Sequence, residues 1–124
     1  MTNGDEEQGA DSYLSTKSKV RIRIFHRETG VLLAEGFRGW QMVPFEGNFY
    51  IQKQCLRAKF HVNFIPGICP YKGLYFWVDL ELPNRVPEKS VGWKYWLPNP
   101  LLPFIWYRLA LPGNDPKLRI EESQ

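Results

Sequence analysis

Apolar and polar residues alternate along most of the chain between residues 19 and 97, and this period of two is typical of β-strands with one buried face. In residues 20–24, Val and Ile occupy the even positions and Arg occupies the odd positions. Residues 27–30 then end in glycine, and residues 31–35 are again mostly apolar. This pattern predicts a β-hairpin that turns at residues 27–30.

The longest alternation covers residues 53–64. One predicted face is apolar and consists of Leu56, Ala58, Phe60, Val62 and Phe64. The other face carries polar or ionisable side chains, namely Lys53, Cys55, Arg57, Lys59, His61 and Asn63. The pattern predicts one long strand or two abutting strands over residues 56–64, with room for one helical turn within residues 50–56. Residues 65–68 contain Pro and Gly and predict a break.

Further strands are predicted on both sides of this stretch. A second hairpin is predicted within residues 39–52, with its turn at residues 46–48. Residues 74–82 predict a strand with an apolar face, opposed by Tyr75, Trp77, Asp79 and Glu81, and residues 90–97 predict another strand. Residues 104–111 suit either a buried strand or two turns of helix, and the pattern leaves both open.

Composition supports a small β domain. The chain has 124 residues, of which 15% are aromatic, and its ten Pro and ten Gly leave little space for long helices. We therefore expect a mainly β fold with antiparallel strands in a single domain and disordered termini. The predicted boundaries are a disordered acidic leader at residues 1–17, the β domain at residues 18–113 and a polar tail at residues 114–124.

Charge is unevenly distributed along the chain. Residues 1–18 carry a balance of −3, whereas residues 19–113 carry +7. Lys53, Arg57 and Lys59 would suit nucleic acid, but the acidic leader opposes such binding, and we expect no nucleic-acid partner. No apolar stretch is long enough to span a membrane, and the polar, acidic start is not a secretory signal, which makes a cytoplasmic location the expectation.

The richest chemistry lies at residues 69–73 and in the strand that follows. Pro70 and Gly73 shape a loop that carries a thiol, a phenol and an ammonium group. We expect a cleft for a small anionic or aromatic ligand, in which Tyr71 donates a hydrogen bond, Lys72 pairs with the charge and indoles form the walls. The predicted lining residues are Cys69, Tyr71, Lys72, Tyr75, Trp77, Trp93 and Tyr95.

Two other functions stay open. A small enzyme would use Cys69 as its nucleophile, with His61 or Asp79 as the base. An adaptor would dock to a larger assembly through exposed aromatic residues, of which Trp40, Trp96 and Trp106 are candidates. We expect neither a metal nor another cofactor, because the two Cys and two His residues have no paired spacing.

Several of these motifs resemble the domain-of-unknown-function 427 family. The resemblance rests on residues 31–35, residues 49–51, the Cys-Pro-Tyr-Lys-Gly element at residues 69–73, Gly-Trp-Lys-Tyr at residues 92–95 and Pro-Asn-Pro at residues 98–100. It covers roughly residues 19–107. It implies a fold similar to the small β-tent domains and a candidate site at the Cys-Pro-Tyr-Lys-Gly loop, but no reaction.

Overall fold

The computed structural model describes residues 20–124, and regular structure in that range is almost entirely β. Its strands are β1 (Arg21–His26), β2 (Leu32–Phe37), β3 (Met42–Phe45), β4 (Asn48–Ile51), β5 (Phe60–Cys69), β6 (Gly73–Leu80), β7 (Glu88–Pro98), β8 (Leu109–Pro112) and β9 (Leu118–Ser123). Two short 3-10 helices lie at Lys53–Cys55 and Pro103–Ile105. The predicted fold class, a small single-domain antiparallel β protein, is confirmed. The predicted leader at residues 1–17 lies outside the described residues.

The described strands form two sheets in which all neighbours are antiparallel. The small sheet has the order β2-β1-β9, and the large sheet has the order β3-β4-β8-β7-β6-β5. The predicted first hairpin is present, since β1 pairs with β2 and Gly30, at φ +76°, donates its N–H to the His26 carbonyl. The second hairpin is present as β3 and β4. None of the helices in residues 20–124 is long and apolar enough to cross a membrane.

The main core lies between the two sheets. Alternate residues of each strand face it, so that Ile22 and Ile24 of β1 meet Val78 and Leu80 of β6 in one buried cluster. Each of these four side chains is at most 1% exposed. Burial of one such side chain stabilises the fold by about 1.5–3 kcal/mol.

A second, smaller core covers the outer face of the large sheet, which is the face turned away from the small sheet. Tyr50, Tyr95 and Ala110 belong to this face, and the segment between β7 and β8 folds over it with Leu102 and Ile105. The centre of the large sheet is therefore covered on both faces. This explains why β6 carries apolar residues on both of its faces.

The prediction of a polar tail at residues 114–124 was wrong. Residues 118–123 form β9, which pairs with β1 over six residues, and Leu118 is only 4% exposed. The segment looks polar because one side of β9 faces solvent, so only Leu118 and Ile120 mark its inner side. β9 satisfies the backbone groups on the second edge of β1.

Two further predictions needed correction. The break predicted at residues 65–68 is absent, because β5 continues through Pro66 to Cys69 with an irregularity between Val62 and Pro66. Proline is tolerated there because β5 is an edge strand. Residues 104–111 contain parts of both predicted alternatives, since the 3-10 helix Pro103–Ile105 comes first and β8 follows.

Candidate functional site

The predicted site begins at the loop of residues 70–72 between β5 and β6. Cys69 and Gly73 pair across the base of this loop. Gly73 has φ +121°, and a Cβ atom there would overlap a backbone carbonyl oxygen at the end of β7, so only glycine fits. The side-chain amide of Asn99 donates to the Tyr71 carbonyl at 2.7 Å. The loop is thus held by its own glycine and by the segment that follows β7.

The Lys72 side chain is buried on the outer face of the large sheet. Its ammonium group lies 2.7 Å from a carboxylate oxygen of Glu46 and donates to the Tyr50 hydroxyl at 3.0 Å. The Phe45 ring centroid lies 5.1 Å from the same nitrogen, in a cation–π contact. Burial opposes the charged form, but the bonds to Glu46 and Tyr50 outweigh it and raise the pKa of Lys72. The charge predicted to bind a ligand is therefore already paired with Glu46.

Four other predicted residues form one aromatic cluster on the outer face. The Tyr75 ring is its centre, with its centroid 5.5 Å from Trp77, 5.5 Å from Tyr95 and 6.4 Å from Trp93. Trp77 and Trp93 meet across β6 and β7 at 5.8 Å, edge to face. Tyr95 in turn stacks on Tyr50 at 6.4 Å. The rings pack against one another as aromatic groups do in a core.

The predicted residues thus share a face, but their own side chains fill the space between them. Tyr50 links Lys72 to Tyr95, and burial raises the pKa of the Tyr95 phenol. At the other side of the cluster, the Tyr75 ring occupies the place where Gly67 would carry a Cβ atom. Of the four cavities described below, none is lined by a residue of the predicted cleft. A ligand here would have to displace packed rings.

The remaining two predicted residues lie at the edge of this cluster. The Tyr71 side chain is 52% exposed. Cys69 has a free, half-buried thiol. His61 and Asp79, the bases considered for it, are paired in register near the opposite end of β5, eight residues away. Along β6, six residues separate Asp79 from Gly73, the partner of Cys69, which is on the order of 20 Å. Neither base reaches the thiol.

Asp79 is instead a structural carboxylate. It accepts hydrogen bonds from Asn63 at 2.7 Å, from the Ser90 N–H at 2.9 Å and from Lys89 at 3.1 Å. Burial would raise the pKa of Asp79, but these bonds outweigh it and lower the pKa. The group joins β5, β6 and the start of β7. Within residues 20–124, no three His, Cys, Asp or Glu side chains are grouped so that they could hold a metal ion.

A cavity of about 350 Å³ lies on the core-facing side of the large sheet. One wall is the chain from the first 3-10 helix into β5, and the other is formed by β6, β7 and β8. Its apolar lining comprises Leu56, Ala58, Phe60, Val62, Val78 and Leu109, and its polar lining comprises Lys53, Lys94 and Tyr107. Its volume lies in the range typical of small-molecule sites.

The charges at this cavity differ from those at three others. Lys53 and Lys94 are exposed, and none of the ion pairs within residues 20–124 includes either of them. The other cavities, of about 520, 280 and 270 Å³, each contain a carboxylate that is already paired with a cation or a histidine. Those carboxylates belong to the pairs Arg38–Glu122, His61–Glu81 and Arg21–Glu35.

Tyr107 at this cavity has an unusual backbone conformation. Its φ is +57°, and its side chain is 82% exposed. The next residue is anchored, because the buried Arg108 donates to the Trp40 carbonyl at 2.7 Å and to the Tyr50 carbonyl at 3.3 Å. A bulky residue rarely adopts this conformation, and such strain is concentrated at functional positions.

The apolar face predicted at residues 56–64 supplies one wall of this cavity, whereas the polar groups at the cavity were not predicted. The alternation from Leu56 to Val62 was the available signal. The pattern placed Lys53 on the opposite face, but the 3-10 helix Lys53–Cys55 breaks the period of two, and Lys53 joins the side of Leu56. Lys94 and Tyr107 are distant in sequence, so that only the fold brings them together.

No protein-family model matches this chain, and no curated protein matches it significantly.

Proposed function

We propose that this domain is a non-enzymatic binding module for a small ligand with an apolar body and one negatively charged group. The observation that carries the proposal is the cavity of about 350 Å³, with apolar walls and two lysines that have no acidic partner within residues 20–124. This keeps the ligand class expected from the sequence and changes its position. The ligand would lie between Val62 and Leu109 instead of beside Lys72.

The chemistry of the lining suggests how such a ligand is held. Burial of its apolar part supplies most of the affinity, at about 25 cal/mol per Å² removed from water. Lys53 and Lys94 are exposed, so each ion pair adds less than about 1 kcal/mol and mainly sets orientation. Binding has its own entropic cost, which makes a dissociation constant on the order of micromolar reasonable.

The enzyme alternative has less support. It needs a base near Cys69, and His61 and Asp79 lie toward the other end of the hairpin, bonded to Glu81 and Lys89 respectively. The similarity to the domain-of-unknown-function 427 family stays a prediction, and it names no ligand that would discriminate between the alternatives.

The test compares carboxylates with uncharged analogues. Octanoate, decanoate and 3-phenylpropionate, each beside its alcohol, would be titrated into the protein and followed by thermal shift and calorimetry. We expect at least one carboxylate to raise the Tm and to bind more tightly than its alcohol. The double variant Lys53→Met/Lys94→Met should lose this preference for charge.

The matched control is Lys59→Met. Lys59 is an exposed lysine of the same segment that does not line this cavity, so its variant should bind as the wild type does. Failure of all three acids to bind, or equal preference for charge in the double variant, would refute the proposal.

A further inference from the structure

Exposed apolar side chains are concentrated at one end of the large sheet. Of the twelve large apolar residues that are well exposed within residues 20–124, nine fall within residues 62–78 or 95–107. We define the apolar end by six of them, which are 52–83% exposed: Phe64, Ile68, Tyr71, Trp96, Leu97 and Leu101. Such a concentration on a small domain marks an interaction surface.

Strand pairing makes this surface continuous. In one row across the sheet, Ile68 pairs with Leu74, which pairs with Leu97. In the next row, the Phe76 ring lies 5.6 Å from Phe64 and 6.1 Å from Trp96. The small sheet does not cover these rows. Val78 and Leu80, on the same face of β6, are buried, whereas Leu74 and Phe76 are only half-buried.

The loops beyond the strands extend the surface. Asn99 binds the Tyr71 carbonyl through its amide nitrogen and accepts from the Leu101 N–H through its amide oxygen, at 2.7 and 2.9 Å. Tyr71 and Leu101 are thereby held next to each other at the tip. Leu101 is 83% exposed.

The segments that form the apolar end contain no acidic residue. Residues 62–78 contain one lysine, Lys72, and no other charged residue. Residues 95–107 contain no charged residue at all. Lys72 is buried against Glu46, and the exposed Lys94 lies opposite Phe76. Residues 20–124 as a whole have fourteen Lys and Arg against nine Asp and Glu, a balance of +5.

A second copy of the chain fits this end less well. Association of two edge strands would use β5, which contains Pro66 and an irregularity after Val62. Both features oppose the addition of another strand. The exposed groups are spread over β5, β7 and the two loops that carry Tyr71 and Leu101, which suits contact with a yielding surface.

We propose that the apolar end docks on the surface of an anionic lipid bilayer. Ile68 and Leu101 would enter the boundary between headgroups and acyl chains, and the rings of Tyr71 and Trp96 would lie at headgroup level, where aromatic residues are favoured. Lys94 and the net positive domain would be attracted by the negative surface potential of the membrane.

The experiment is flotation with vesicles of phosphatidylcholine alone and with about one third phosphatidylserine. The full chain should float with the anionic vesicles, bind the neutral ones more weakly and be released by salt. The variant Ile68→Ser/Leu101→Ser should lose about tenfold or more in partitioning. Both positions are exposed, so its Tm should equal that of the wild type.

The matched control is Val86→Ser. Val86 is 77% exposed but lies in the turn between β6 and β7, at the opposite end of the same strands. This variant should float like the wild type. No flotation of the wild type, equal flotation of the double variant, or a dimer in light scattering that the double variant converts to monomer would overturn the proposal.

Discussion

The Lys72 ammonium and the Glu46 carboxylate form an ion pair of 2.7 Å in which the lysine side chain is 8% exposed and the glutamate 50%. The pair connects the β3–β4 turn to the β5–β6 loop, although these turns belong to separate hairpins. Because the ammonium also binds Tyr50, this lysine stabilises the outer aromatic core.

Substitution Lys72→Met should therefore lower the free energy of unfolding by about 1–2 kcal/mol, since it leaves the Tyr50 hydroxyl without its buried partner. Urea denaturation measures this loss, and Lys59→Met, at an exposed position, serves as the control. Carboxylate binding in the cavity should be unchanged. A Lys72 variant that retains full stability but loses ligand binding would favour the loop as the site.

Gly67→Ala should destabilise the protein by about 2 kcal/mol, because the Tyr75 ring occupies the space of the new methyl group. Gly67 does not have a positive φ, so the cost comes from the ring and not from the backbone. In the Tyr75→Ala background the same change should cost little. A double-mutant cycle measures this coupling, and additive effects would contradict the packing described.

Ala58→Leu should fill part of the cavity of about 350 Å³. The added methylenes replace empty space with contacts, so stability should rise by up to about 1 kcal/mol while carboxylate binding weakens at least about tenfold. Thermal denaturation measures the stability of the variant, and calorimetry measures its carboxylate binding. A stabilised variant with undiminished binding would place the ligand elsewhere.

The lowered pKa of Asp79 predicts a dependence on pH. The ionised Asp79 side chain stabilises the folded protein at pH values above its unfolded pKa of 3.8. This stabilisation is lost as the pH falls through the lower pKa of the folded state. Between about pH 4 and pH 2 the wild type should thus lose more stability than Asp79→Asn. Urea denaturation at several pH values in this window measures the free energy of unfolding of both proteins. Parallel curves of that free energy against pH would contradict the prediction.

The control for that comparison is Glu28→Gln. The Glu28 side chain is 70% exposed and pairs with Arg85 on the surface, so its loss should change stability by less than about 0.5 kcal/mol at neutral pH.

Removal of β9 should unfold the small sheet. A chain that ends at Lys117 loses the partner of β1 along six residues and the buried Leu118. We expect a loss of at least about 3 kcal/mol, visible as a lower Tm and as dye binding to exposed core. Removal of Gln124 alone, which follows β9, should have no effect.

Local patterns predicted most strands but not the partners of each strand. The turn at Gly30 and the two faces of β6 follow from neighbouring residues, and both were predicted correctly. The passage of β5 through Pro66 depends on its position at the sheet edge, which the sequence does not reveal. The mainly polar segment of β9 likewise becomes a strand only because β1 has a free edge.

The candidate site shows the same limit. A lysine on a tight loop beside tyrosines looks the same whether it binds a ligand or Glu46, and only the fold brings Glu46 to it. The cavity combines Lys53, Lys94 and Tyr107, which are separated by more than ten residues in each case. Periodicity within one strand carries no information about such groupings.

The order in which the strands emerge from the ribosome has a consequence for biosynthesis. β1 is among the first described segments to be made, yet its second neighbour, β9, is the last. At about 5–20 residues per second, β1 waits on the order of ten seconds before its sheet can be completed. During this interval Ile22 and Ile24 lack part of their cover, and nascent chains should be at their most sensitive to chaperone capture.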